Sequence, residues 1–102
     1  MTTIIVLFNL KAGVDAAAYE AFAKSTDLPI VNGLKSVDSF DVYKAEGLLS
    51  GAASPYQYIE IIHVNDMAEF GVNVSTETMK KVSGEFRTMA DNPIFIKTES
   101  LV

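Results

Sequence analysis

A chain of 102 residues, about half of them apolar and ten of them aromatic, forms one domain with enough side-chain volume for a real core. Its net charge of −5, with eight cations of which only Lys80 and Lys81 adjoin, argues against a nucleic-acid partner, because phosphate binding needs clustered cations. The absence of cysteine excludes disulfides, thiolate metal ligation and a thiol nucleophile.

Ile4 to Leu10 is a nearly unbroken apolar and β-branched run, which predicts a central strand buried on both faces. No cation precedes Ile4 to Phe8, and the run ends at Asn9 and Lys11, unlike a secretory signal. No segment approaches the ~20 apolar residues of a membrane helix. A soluble, cytoplasmic protein is expected. Ala12 and Gly13 break the strand, and Asp15 opens a helix through roughly Lys24. Tyr19, Phe22 and Ala23 mark its inner face, and Glu20 with Lys24 is a favourable i,i+4 pair. Leu28 to Gly33 reads as a loop punctuated by Pro29 and Gly33.

Leu34 to Lys44 is a more polar second strand whose imperfect alternation suggests a bulge or an edge position. Glu46 to Pro55 is a mobile loop of small residues. Tyr56 to Val64 is a third strand, rich in aromatic and β-branched residues. Asp66 to Phe70 is a short helical turn, and Thr76 caps a longer helix to about Ala90 with Met79, Val82, Phe86 and Met89 on one apolar face. Asn92 and Pro93 end that helix, and Ile94 to Leu101 is the last strand.

This order is the split βαβ, or ferredoxin-like, plan: a single α+β domain over residues 1–102, with a four-stranded antiparallel-type sheet and two helices on one face. Crossover handedness is expected to set strands one and three side by side and parallel in the middle. Two helices cover only one sheet face. The other carries too much Ile, Val and Phe to stay wet, which implies a partner, most economically a second copy in a homodimer.

The only histidine, His63, closes the third strand, where an imidazole can carry a proton near neutral pH. With strands one and three parallel, Asn9, His63, the segment Lys35 to Asp38 and Ile94 to Ile96 would converge on one mouth between sheet and helices. There His63 is a candidate general acid or base, oriented by Asp38 or equally by Ser36. Asn9 is a candidate to hold a substrate carbonyl or amide. Tyr19, Phe22, Phe86 and Phe95 are candidates for an aromatic wall, and Arg87 for pairing with an anionic group. Each has a plainer reading: His63 as a structural or solvent-facing residue, Asn9 as a strand terminator, Tyr19 and Phe22 as core, Arg87 as a surface cation. Glu60, inside the third strand, is expected to be half-buried, either paired with Lys97 across the sheet or serving the dimer interface. One histidine without cysteine gives no strong zinc site, and no loop concentrates carboxylates, so no metal is expected. No phosphate-binding glycine loop or nucleophile elbow is present, and no cofactor is expected.

The element order, Gly33-Leu34-Lys35-Ser36-Val37 entering strand two, and Tyr58-Ile59-Glu60-Ile61 in strand three resemble the dimeric α+β barrel superfamily. In detail the whole chain resembles the REDY-like proteins of prodiginine biosynthesis. The superfamily likeness implies two sheets packed face to face in a homodimer, with a ligand pocket in each subunit. Its members include cofactor-independent monooxygenases, cyclases, dehydratases and haem enzymes. The REDY-like likeness implies an accessory role on a pyrrole, bipyrrole or related small aromatic intermediate of a secondary-metabolite pathway. A cofactor-independent acid/base enzyme for condensation, cyclisation or dehydration is the expectation, with His63 carried over as the acid/base. The alternatives are a non-catalytic or chaperone-like binder of an intermediate or a partner enzyme, and a cofactor-independent monooxygenase.

Overall fold

Alternation along two central strands sets the architecture. The structure, a computed structural model, describes Met1–Val102 throughout. In β1 (Thr2–Leu10) Ile4, Val6 and Phe8 are buried, whereas Ile5 and Leu7 are half-buried on the opposite face. In β3 (Tyr58–Val64) the buried set is Tyr58, Glu60, Ile62 and Val64, and the half-buried set Ile59, Ile61 and His63. The buried sets pack against the helices. Phe8 stacks on Tyr58 and meets Tyr19 and Phe86 edge-on, with ring centroids 5.0–5.5 Å apart.

Helix α1 (Ala16–Phe22) is capped by Asp15, whose side chain accepts from the Ala17 N–H. It continues without a break through a π-helical segment, Ala23–Asp27, into α2 (Leu28–Asn32). The expected loop at Leu28 to Gly33 is therefore mostly helix. Pro29 lacks an N–H and crowds the turn before it. The wider turn upstream, where the Leu28 N–H reaches back to the Ala23 carbonyl, accommodates the ring and lets the helix run on. Asn32 then ties α2 to β2 (Val37–Lys44): its side chain donates to the Phe40 carbonyl and accepts from the Phe40 N–H, both at 2.9 Å.

After β3, Asp66 caps α3 (Met67–Asn73) and Thr76 caps α4 (Glu77–Met89). Met79, Val82 and Phe86 are buried and Met89 half-buried, as the spacing predicts. α4 passes directly into β4 (Ala90–Glu99), so the last strand starts earlier than expected. Asn92 and Pro93 do not stop the helix; they form an irregularity inside β4, where Asn92 takes a φ of 43° and the register with β1 shifts between Leu7 and Asn9. Asn tolerates that left-handed backbone, and an edge strand tolerates proline.

The sheet order is β2-β3-β1-β4, and every neighbouring pair is antiparallel. The ferredoxin-like α+β plan is as expected, but two further expectations are corrected. First, β1 and β3 are antiparallel, with Thr3 opposite His63. The α1–α2 crossover makes β1 parallel to β2, and the β2–β3 hairpin then reverses β3 relative to both. Secondly, the sheet is not closed into a barrel. It is open, with β2 and β4 as its two edges, and four strands are too few to enclose an interior that side chains can fill.

Candidate active site

Beneath the helices, the sheet supplies an acid in an apolar setting. Glu60 shares the parity of Tyr58 and Ile62, so it points toward the helices and is 4% exposed. The buried Tyr19 of α1 donates its hydroxyl to Glu60 Oε2 at 3.2 Å. From the π-helical segment, Asp27 is buried against the same space. Glu60 and Asp27 line a mostly apolar cavity of about 370 Å³ between the sheet and α2, α3 and α4. That volume lies at the lower end of the few hundred Å³ typical of small-molecule sites. Arg87 and Phe95 are the only exposed members of its lining and mark its mouth.

The electrostatics follow from this placement. The one ion pair in the chain, Lys44 with Glu20 at 3.0 Å, lies elsewhere, so no cation compensates either cavity acid. Burial first, and the nearby Asp27 charge second, push the Glu60 carboxyl up to about 8, against a smaller lowering by the Tyr19 hydroxyl. Burial alone pushes Asp27 up to about 6. Burial, with the Glu60 charge next, raises Tyr19 far above the usual phenol range, so it stays a neutral donor. Glu20 shows the contrast: the Tyr58 hydroxyl at 2.7 Å and Lys44 hold it below the usual carboxylate range. Both carboxyls thus keep their protons more readily than free ones, and Glu60 more than Asp27, so one space pairs an acid with a readier base.

The residues singled out from sequence are scattered over the fold. Phe95, Arg87 and Phe86 line the cavity, and Tyr19 stands behind Glu60. Phe22 packs in the core beside Tyr19. His63 lies on the helix-free face, with its Nδ1 3.0 Å from Thr3 Oγ1 and Ser39 opposite it in β2. Asn9 is at the other end of the sheet, because β1 and β3 are antiparallel; the expected common mouth for Asn9 and His63 does not form. There Asn9 donates to the Pro55 carbonyl and accepts from the Gln57 N–H, clasping the β2–β3 loop. The start of β4 likewise lies at the Asn9 end. Asp38 is exposed and accepts from Asn65 at 2.8 Å, not from His63. Ser36 is buried and donates to Asn73 at 2.7 Å. Glu60 does not reach Lys97: it is opposite Val6 on β1, whereas Lys97 is opposite Ile4, and Glu60 faces the helices, away from the helix-free face.

A ferredoxin-like α+β domain with an acid-bearing cavity between sheet and helices is thus the class. The family model for REDY-like protein HapK matches residues 2–101, and the chain belongs to that family. Among solved structures it is similar to HapK from Hahella chejuensis, with 31% identity and a TM-score of 0.79, covering 99% of this chain and 93% of that one. It also shares its fold with a dimeric ferredoxin-like protein of unknown function from Thermobifida fusca (13% identity, TM-score 0.76, 97% and 90% coverage). SnoaB, a cofactor-independent oxygenase from Streptomyces nogalater, has the same fold at 11% identity and a TM-score of 0.76, covering 99% and 93%. No curated protein sequence matches the chain significantly. No helix is long and apolar enough to cross a membrane.

Proposed function

We propose that the protein is a cofactor-independent acid/base enzyme acting on a small aromatic intermediate of a prodiginine-type pathway, by condensation, cyclisation or dehydration. The observation that carries this reading is the pair of buried carboxyls, Glu60 and Asp27, facing an apolar cavity with no cationic partner. Burying charge without a counter-ion costs stability, and such placements cluster where protons are moved. In this reading Glu60 gives a proton to the substrate, Asp27 removes one, and Tyr19 fixes the Glu60 carboxyl through its hydrogen bond. The apolar walls exclude water and take a flat ring. His63, on the other face, belongs to an interface role. Membership of the HapK family supports the pathway class. Incubation of the purified protein with pyrrole and bipyrrole intermediates, with and without oxygen, tests the proposal. Oxygen-independent turnover is expected. Turnover only in oxygen would point to an oxygenase, and tight binding without turnover to a carrier.

The working form is proposed to be a two-fold dimer through the helix-free face. Ile5, Leu7, Ile59, Ile61, Ile94 and Ile96 share that face by strand parity and register, a contiguous apolar surface of the kind that seeks a partner. A specific interface buries about 1,600 Å² in total. Ile61→Asp should then give a monomer by sedimentation at micromolar concentration while the circular dichroism of the fold persists. A wild-type protein that already sediments as a monomer would sink the idea.

A further inference from the structure

The cavity has opposite electrical ends. Both of its acids, Glu60 and Asp27, are buried, while its one cation, Arg87, is at the exposed mouth beside Phe95. Arg87 has no carboxylate partner in the chain, whose single ion pair joins Lys44 and Glu20. An anionic ligand group is disfavoured among the buried acids, because it would lose its hydration there and meet the Asp27 charge in a poorly screened space. At the mouth it would meet a planar guanidinium whose fork matches a carboxylate. Phe86 and Phe95 flank the route from mouth to interior, their ring centroids 6.5 Å apart and nearly perpendicular. A flat ring passing there can meet one face and one edge.

We infer that the occupant is an aromatic carboxylate, held by Arg87 at the mouth through its carboxylate and by Phe86 and Phe95 through its ring, so that the ring edge remote from the carboxylate points at Glu60 and Asp27. This rests on the acid/base reading for the identity of the reacting end, but not for the binding itself. It fixes which end of the molecule enters first. Chemistry then falls on the ring, and the carboxylate is a handle retained at the entrance.

Calorimetric titration of the full chain with indole-2-carboxylate and with its neutral isostere indole-2-carboxamide tests the inference without requiring turnover. The wild type should prefer the carboxylate by roughly three- to fivefold, the scale of one exposed ion pair. Added salt should narrow the gap. Arg87→Met should bind the carboxamide as before and lose the preference, whereas Arg87→Lys should keep part of it. Equal affinities in the wild type, no measurable binding of either probe, or a preference undiminished in Arg87→Met would each overturn it. If the preference holds but Glu60→Gln retains full turnover of a pathway intermediate, the acid/base reading fails and the anchoring stands. Loss of turnover in Glu60→Gln without the preference gives the converse.

Discussion

Glu60→Gln should reduce turnover of an accepted intermediate by a factor on the order of 10²–10⁴, the usual contribution of a general acid or base. Glutamine has nearly the same shape, and its carbonyl can still accept the Tyr19 hydroxyl that now sits 3.2 Å from Glu60 Oε2. It cannot give up a proton near neutral pH. The loss should therefore come in kcat, with the fold intact and binding of the aromatic probes little changed. Asp27→Asn should be comparably damaged, since it removes the other half of the proton exchange. His63→Ala is the decisive control. That side chain is on the far face of the sheet, bonded to Thr3, so its removal should leave the rate per assembled protein within a few-fold of wild type. The reverse pattern, an inactive His63→Ala beside an active Glu60→Gln, would move the chemistry out of the cavity altogether.

The same carboxyl should make the fold more fragile as the solution becomes more alkaline. Its folded pKa, about 8, lies above the ordinary 4.5. Between those values the folded protein keeps a proton that the unfolded chain has released, so unfolding releases a proton and stability falls as pH rises. The stabilisation is fully present below about 4.5 and is lost as pH climbs through the folded value. The slope for one such group is about 1.4 kcal/mol per pH unit, which sums to a few kcal/mol across the window. Asp27, raised to about 6 from 3.8, adds a similar but smaller decline at lower pH. Urea denaturation between pH 5 and pH 9 should show the wild-type midpoint dropping. The Glu60→Gln profile should be flatter and cross above the wild type on the alkaline side. Parallel profiles for the two proteins would mean that Glu60 titrates as an ordinary surface acid.

Local chemistry made much of the fold legible. The Met79, Val82, Phe86 stripe, the inner face of Tyr19, Phe22 and Ala23, and the order of strands and helices all follow from spacing and caps that act over a few residues. Strand direction was not legible in the same way. It depends on how crossover and hairpin combine, and the inverted relation of β1 to β3 separated Asn9 from His63 by the length of the sheet. Pro29 read as punctuation because a regular α-turn does not admit it; the wider π turn that does has no sequence signature. Glu60 was within reach, since counting by twos from Tyr58 places it on the helix side. However, Ile59 and Ile61 make the other face equally apolar, so the pattern does not say which face is covered. Asp27 offered no signal at all. It is an ordinary aspartate at a segment boundary, made unusual only by what packs around it. Family likeness supplied the class and the expectation of a pocket, but not the residues at its floor.

The strand order has one more consequence. Reading across β2-β3-β1-β4, the strands come alternately from before and after the β2–β3 loop. Every ladder in the sheet therefore joins one half of the chain to the other, and neither half contains a single pair of its own. The cavity is divided likewise, with Asp27, Val31 and Phe40 from the first half and Glu60, Phe86 and Arg87 from the second. The loop between them carries exposed residues at its tip, Leu49 among them, where backbone cleavage is best tolerated. Severed there, the polypeptide becomes two fragments neither of which can form a ladder of the sheet by itself, so rebuilding the sheet and restoring activity become one event.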